Sequence, residues 1–308
     1  MTNINLPEGH RIKTSEYITK QEFDQINRLM ELCCEQDKIN LKLELDYKLH
    51  QATLADQKEA EVSGVRNEFL YYVGGELVSY LGISCFDGIT GEITGMTHPA
   101  FRRQGFYTLL LELAHKECML RPFKKLLILT DGNSAAGMQY IKSVGFAFAH
   151  SEYRMKRLTA SSARPSTSTV LTLRTACRED ELEIARMNTK FFDDSEVDEQ
   201  TGEPLIKALE EQPENYKTYM VELKGESIGK INVEYQGDYA FICGFGIQPE
   251  HRGKGYGRAA LDAALAIIEE RKIGTTELDV VCTNARALTL YQSCGFEEQS
   301  VMNYYSVT

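Results

Sequence analysis

Two stretches of this chain read as copies of one another. Residues 69–81 are FLYYVGGELVSYL and residues 219–231 are YMVELKGESIGKI. A displacement of 150 residues carries Gly75 and Glu76 onto Gly225 and Glu226, Pro99 onto Pro249, Arg102 onto Arg252 and Gly105 onto Gly255. It also carries Gly145 and Phe146 onto Gly295 and Phe296, with no gap needed between residues 69 and 146. Chance identity does not hold one register over so many turns. The period is too long for a solenoid unit, so each half must bury a core of its own. The segment TASSARPSTST, residues 159–169, is rich in Ser, Thr and Ala and offers little to bury, which is the composition of a linker. The expected organisation is therefore a domain over 1–158, a linker over 159–169 and a second domain over 170–308.

The order of elements is easiest to read in the second half. Asp180–Phe192 has helical character, and residues 203–211 form a shorter helical candidate. Tyr219–Leu223 and Ser227–Tyr235 alternate as strands around Lys224-Gly225-Glu226, a hairpin signal. Tyr239–Ile247 is a third apolar strand. From about Arg258 to Glu270, Leu261, Ala264, Leu265 and Ile268 keep helical spacing, and Gly274 is the expected stop. Leu278–Cys282 then reads as a buried strand, Ala285–Ser293 as a helix and Glu297–Tyr305 as a last strand. A meander of strands followed by a strand–helix–strand crossover gives an α/β domain of the α+β kind, built on one mixed sheet.

The segment with chemical content is FGIQPEHRGKGYGRAAL, residues 245–261. A strand ends, a glycine-rich turn follows, and the turn opens directly into a helix. The first N–H groups of a helix have no internal partner, and with the helix dipole they form a site for an anion. Gly253, Gly255 and Gly257 let a bulky phosphate approach the backbone, and Arg252 and Lys254 add charge beside it. The spacing does not fit G-x-x-x-x-G-K-[ST]. Nor does its place after a hairpin meander suit a dinucleotide fingerprint. A solvated surface turn is the plain alternative.

Downstream, residues 284–296 read NARALTLYQSCGF, an N-x-x-A-x-x-L-Y-x-x-x-G-F pattern on a helix after a buried strand. With this second motif, the sequence resembles the GCN5-related N-acetyltransferase (GNAT) family, over most of both halves and best over residues 219–305. The resemblance implies two tandem GNAT-like domains. It implies that the turn Arg252–Gly257, with Tyr256 and Arg258 at the helix start, holds the pyrophosphate of coenzyme A through backbone amides. It implies that the strand Phe245–Ile247 pairs with the pantetheine arm and that the amide near Ile247 faces the acetyl carbonyl. It implies that Asn284 contacts the cofactor and that Tyr291 stands near the sulfur as general acid. A phenol of ordinary pKa about 10 suits that last task, because charge builds on sulfur as the thiolate departs. The plain alternative for Tyr291 is a core aromatic. In several members a glutamate before the cradle takes the amine's proton. The matching position here is about Phe241, a departure from the pattern. Glu234, Tyr235, Asp238 and a water chain stand in its place, with Glu234 singled out.

The first half reads HPAFRRQGFYTLL over 98–110. Arg102 and Gly105 are kept, and with Arg103 they are candidates for holding phosphates in a modified turn. Gly257 is replaced by Tyr107, Tyr291 by Ile141 and Asn284 by Ser134 (Asn133 is adjacent). Tyr140 is one residue out of register, and Glu92 lies near the family's base position. The expectation is a degenerate first domain, catalytically weak or silent, beside a catalytic second one.

The implied reaction moves an acetyl group from acetyl-coenzyme A to a primary amine of a small molecule or peptide, by direct attack in a ternary complex, with no metal. Tandem domains of this kind also resemble mycothiol synthase, which would make the acceptor an amino-sugar thiol precursor. The non-enzymatic alternative is an acyl-coenzyme A-binding regulatory protein. Residues 193–203, DDSEVDEQTGE, are acidic enough to draw a cationic acceptor, although a solvated loop has the same composition. A net charge of −11 argues against nucleic acid as the main partner. No run of 18 apolar residues is present to span a membrane, and MTNINLPEGHRIKTSEY lacks the apolar block of a secretory signal. Eight scattered cysteines without a C-x-x-C pair fit a reducing cytoplasm. The oligomeric state stays open, a homodimer included.

Overall fold

Both halves turn their first hairpin on the same backbone. The computed structural model describes residues 6–57, 64–86, 88–158, 171–192, 209, 212 and 214–307. Gly74 and Gly75 have φ of 58° and 89°, and Lys224 and Gly225 have 54° and 85°, so both central residues of each turn are left-handed. That is the conformation a two-residue hairpin loop needs to match strand twist. The turns join β2 (Glu68–Val73) to β3 (Glu76–Ser84) and β8 (Tyr216–Leu223) to β9 (Glu226–Gln236).

The chain forms two compact units, Met1–His150 with Met302–Thr308 and Ser151–Val301. In the first, β1 (His10–Ser15), β2, β3 and β4 (Thr90–Thr97) form an antiparallel meander, and β4 pairs in parallel with β5 (Lys125–Asp131). α1 (Lys20–Asp37) and α2 (Leu45–Gln57) pack on one face of this sheet. α3 (Phe106–Cys118) and α4 (Ala135–Val144) pack on the other. In the second unit, β7 (Leu171–Thr175), β8, β9 and β10 (Tyr239–Ile247) repeat the meander, and β10 pairs in parallel with β11 (Thr275–Val281). α5 (Glu181–Phe191), α6 (Tyr256–Glu270) and α7 (Ala285–Ser293) complete it. The cores repeat as the sequences do. Leu81, Ile83, Leu111, Ala114 and Ile128 in one are matched by Ile231, Val233, Leu261, Ala264 and Leu278 in the other. No helix among the described residues is long and apolar enough to cross a membrane.

The expected boundary after residue 158 is corrected by two strands. β6 (Ala147–Leu158) places Glu152–Leu158 antiparallel to Val281–Thr275 of β11, so this segment belongs to the second unit. β12 (Glu297–Ser306) places Met302–Ser306 antiparallel to Asp131–Leu127 of β5, so it completes the first. The hydrogen-bond ladder, not proximity in sequence, decides where each strand belongs. The linker 159–169, the acidic segment 193–203 and, apart from Leu209, the helical candidate 203–211 lie outside the described residues. Gly274 does not stop α6. The left-handed residue there is Lys272 (φ 61°), while the Gly274 N–H donates to Asp238 Oδ1 at 2.5 Å. A Cβ at residue 274 would lie 2.6 Å from Asp238 Oδ2, so a close approach explains this glycine.

Candidate active site

The site begins where β10 leaves its neighbours. Tyr239–Ile242 pairs with Thr275–Leu278 of β11, and beyond Ile242 the parallel ladder ends. From there the edge of β10 that faced β11 is open for an extended ligand to pair with. On its other side β10 follows β9 antiparallel, with Cys243 opposite Asn232 and Gly246 opposite Lys230. Two residues, Gly244 and Phe245, thus oppose Ile231 alone, and Gly244 takes a φ of 51°. This is a β-bulge with a left-handed glycine, a device that re-aims backbone groups. The Phe191 ring of α5 covers the far end of the bulge, against Gly246.

After Ile247 a single turn of 3-10 helix, Pro249–His251, leads into the cradle. Gly253 and Gly255 have φ of 74° and 83°, and Gly255 caps α6 without any side-chain hydrogen bond. A Cβ at either glycine would meet nothing within 4 Å, so the concave side is open. Among the described residues, the N–H groups of Tyr256, Gly257 and Arg258 make no hydrogen bond. Open space and unpaired donors at a helix start fit a phosphate group. A Cβ at Gly257 would make only ordinary contact with Ile247 and Leu290, at 3.9 and 3.8 Å, so strand end, cradle and α7 converge at this point.

The charged side chains of the motif are committed elsewhere. Arg252 donates from Nε to the Ile247 carbonyl at 2.7 Å and lies over the Phe191 ring. Lys254 donates to the Glu250 carbonyl at 2.9 Å. Arg258 grips Ser293 through Oγ (2.5 Å) and the carbonyl (2.8 Å), with Asp262 3.6 Å away, and so ties α6 to the end of α7. These contacts brace the turn and tie it to β10 and α7. Phe245, Ile247 and Tyr256 pack on the small cluster of Val221, Ile228 and Ala260 behind the cradle.

Asn284 accepts from the Ala287 N–H at 3.2 Å and so caps α7, whose last turn includes Tyr291. Tyr291 is buried in the main core, edge-on to Phe296. Its hydroxyl makes no hydrogen bond among the described residues. Burial pushes its pKa up to about 12, with the Cys294 thiol a smaller contributor in the same direction. The phenol therefore keeps its proton across the physiological range. Glu234, half-buried on β9, stands opposite Phe241 in the ladder with β10 and opposite Tyr216 in the ladder with β8.

Reading the motifs missed Lys230, Asn232 and Cys243. Their side chains alternate with those of Ile231, Val233 and Ile242, which face α6, so they lie on the other side of the sheet. The available signal was a lysine and an asparagine alternating with apolar residues in the strand segment Ile228–Val233.

The first unit repeats the cradle without the bulge. Gly105 has φ of 83°, and Arg103 (63°) adopts the conformation of Gly253. Arg102 donates to the Thr97 carbonyl (3.2 Å), as Arg252 does to Ile247, and its remaining nitrogens bind both oxygens of Asp37. That guanidinium is spent on the fold. β4 pairs with β3 without a register shift from Ser79–Thr97 to Ser84–Glu92. Tyr107 stands edge-on to Tyr140, with ring centres 5.1 Å apart. It also lies close over Gly95, where a Cβ would come within 3.2 Å of its ring. In the second unit the corresponding pair is Gly257 and Leu290.

Known proteins support the same reading. Residues 180–296 match the model of the acetyltransferase (GNAT) family. The chain carries a GNAT acetyltransferase domain over these residues. It is an N-acetyltransferase of the class that draws on acetyl-coenzyme A. A mycothiol acetyltransferase of Thermobispora bispora is 28% identical over 82% of this chain and 87% of its own length. The alanine N-acetyltransferase of ribosomal protein bS18 from Escherichia coli K12 is 31% identical over 32% of this chain and 66% of its own. Among solved structures, a GCN5-related N-acetyltransferase from Sphaerobacter thermophilus superposes with a TM-score of 0.72 at 17% identity, covering 98% of this chain and 96% of that one. A tandem GNAT protein from the clavulanic acid biosynthesis pathway gives 0.67 at 13%, covering 97% and 98%. At such identities these two speak to the fold.

Proposed function

We propose that the second unit transfers the acetyl group of acetyl-coenzyme A to a primary amine of a small molecule or peptide, by direct attack while both substrates are bound. The observation that carries this is the opening of β10 from β11 after Ile242, beside a bulge and directly ahead of a helix start with unpaired donors. Acetyl-coenzyme A supplies a thioester, and this chain's residues then have four tasks. The N–H groups of Tyr256, Gly257 and Arg258 hold phosphate oxygens. The edge of Gly244–Ile247, beyond the end of the parallel ladder, orients the pantetheine arm. A backbone N–H of that segment donates to the thioester oxygen as charge builds there. Tyr291 gives its proton to the departing sulfur. The amine must lose a proton before it attacks, and Glu234 takes it, directly or through water. The first unit is catalytically silent in this reading, because the bulge is missing and Tyr107 fills the space that Gly257 leaves.

The likeness to a mycothiol acetyltransferase over most of the chain favours a small-molecule amine, such as an amino-sugar derivative, over a peptide. The test is free-thiol release from acetyl-coenzyme A across amino sugars, polyamines, lysine-like amines and peptide N-termini. Release with one amine class supports the reading. Tight coenzyme A uptake with no thiol release for any amine overturns it in favour of an acyl-coenzyme A-binding protein.

A further inference from the structure

Lys230 is 2% exposed, yet it carries an ammonium and has no carboxylate partner among the described residues. Burying such a charge is costly unless something in the structure uses it. Its Nζ donates to the carbonyl oxygen of Gly244 at 2.9 Å, at the bulge of β10. The Phe192 ring lies 5.7 Å away, Cys243 precedes the bulge, and Tyr216 reaches Cys243 Sγ with its hydroxyl at 3.5 Å. Asn232, 8% exposed, leaves its Oδ1 without a partner. A Cβ at Gly244 would run into Asn232 Nδ2 and stand 3.0 Å from Lys230 Nζ.

The first unit supplies the contrast. The residue matching Lys230 is Tyr80, whose hydroxyl donates to Glu68 Oε2 (2.6 Å), and Glu68 is also paired with Lys48 (2.7 Å). There the charge is neutralised within an ion pair and the strand runs straight. In the second unit the lysine and the bulge occur together.

We propose that Lys230 is a positioning residue for acetyl transfer, holding the Gly244 carbonyl so that the bulged Gly244–Phe245 peptide is fixed and polarised toward the thioester oxygen. This rests on the transferase reading above. The carbonyl and the Phe245 N–H belong to one conjugated peptide unit. A cation bound to the oxygen withdraws electron density and makes the N–H a stronger donor, more so where water is excluded. The gain appears as the acyl oxygen becomes negative and not in ground-state cofactor binding, so it acts on kcat.

The test compares Lys230→Met, Lys230→Arg and Gly244→Ala with wild type in steady-state kinetics on the amine that turns over, with coenzyme A affinity by calorimetry. The expected result is a fall in kcat of at least about tenfold for Lys230→Met, with coenzyme A affinity within about threefold of wild type and substantial rescue by Lys230→Arg. Gly244→Ala keeps the charge but pushes it off the carbonyl and should lower kcat in the same way, which keeps the question decidable should Lys230→Met fail to fold. Wild-type kcat in Lys230→Met, or equal losses of kcat and coenzyme A affinity, overturns the assignment. A wild-type protein that binds coenzyme A but releases no thiol overturns the transferase reading and this inference with it.

Discussion

Glu234 stands directly across from Phe241 in the antiparallel ladder of β9 and β10. Directly opposed residues share a face, with Cβ atoms about 5 Å apart. The carboxylate that the family pattern leads one to expect at residue 241 is thus present one strand over. Glu234→Gln should lower kcat/KM about 100-fold near neutral pH. The loss should shrink as pH rises, because an acceptor that has already lost its proton needs no base. A pH profile of the two proteins checks this, and a constant ratio across pH removes Glu234 from proton transfer.

Tyr291→Phe removes the proposed acid and keeps the ring that packs in the core. Turnover should fall about 100-fold while coenzyme A affinity holds. Because burial pushes the wild-type phenol up to about 12, its proton is retained well above neutrality, and kcat should show no tyrosine-linked fall below about pH 10. A turnover rate equal to wild type in the variant would leave this residue with a packing role only.

Gly105 and Gly255 share the same left-handed φ of 83° at the start of α3 and α6. Replacing either by valine should cost about 1–2 kcal/mol of stability, read by denaturant unfolding. Only the Gly255 variant should lose coenzyme A binding, and wild type should titrate one site per chain. Two sites per chain would show that the first unit binds the cofactor despite Tyr107.

The buried ammonium of Lys230 makes stability depend on pH. Burial lowers its pKa from 10.5 to about 8, so between those values the unfolded chain holds a proton that the folded chain has released. Folding is then favoured increasingly as pH rises through this window, and the penalty is greatest below about pH 8. Relative to Lys230→Met, wild type should gain up to about 3 kcal/mol between pH 8 and 10.5. A pH-independent difference in unfolding free energy would contradict this.

Turns were legible in the sequence because glycines act locally, although Gly274 marks a close approach to Asp238 and not the end of α6. The glycine turn between β10 and α6, the hairpins and α7 stand where the spacing placed them, and the repeat predicted a matching core. The bulge was not legible, since the two halves align without a gap across it and only pairing reveals that β10 is shifted against β9 while β4 is not shifted against β3. The contacts that Arg252 and Arg258 make within the fold, with the Ile247 carbonyl and Ser293, were not legible, because they depend on how the turn folds back. Lys230 escaped notice for a related reason. A lysine in a strand is ordinarily solvated, and its burial depends on which face α5 covers.

The strands Ser151–Leu158 and Met302–Ser306 have a genetic consequence. No single cut of the gene yields either unit whole. A product ending at residue 158 lacks the strand that flanks Leu127–Asp131, and one starting at residue 170 lacks the strand that flanks Thr275–Val281. Duplication therefore left two halves that are obligate donors to one another, so a half can shed its chemistry without becoming expendable.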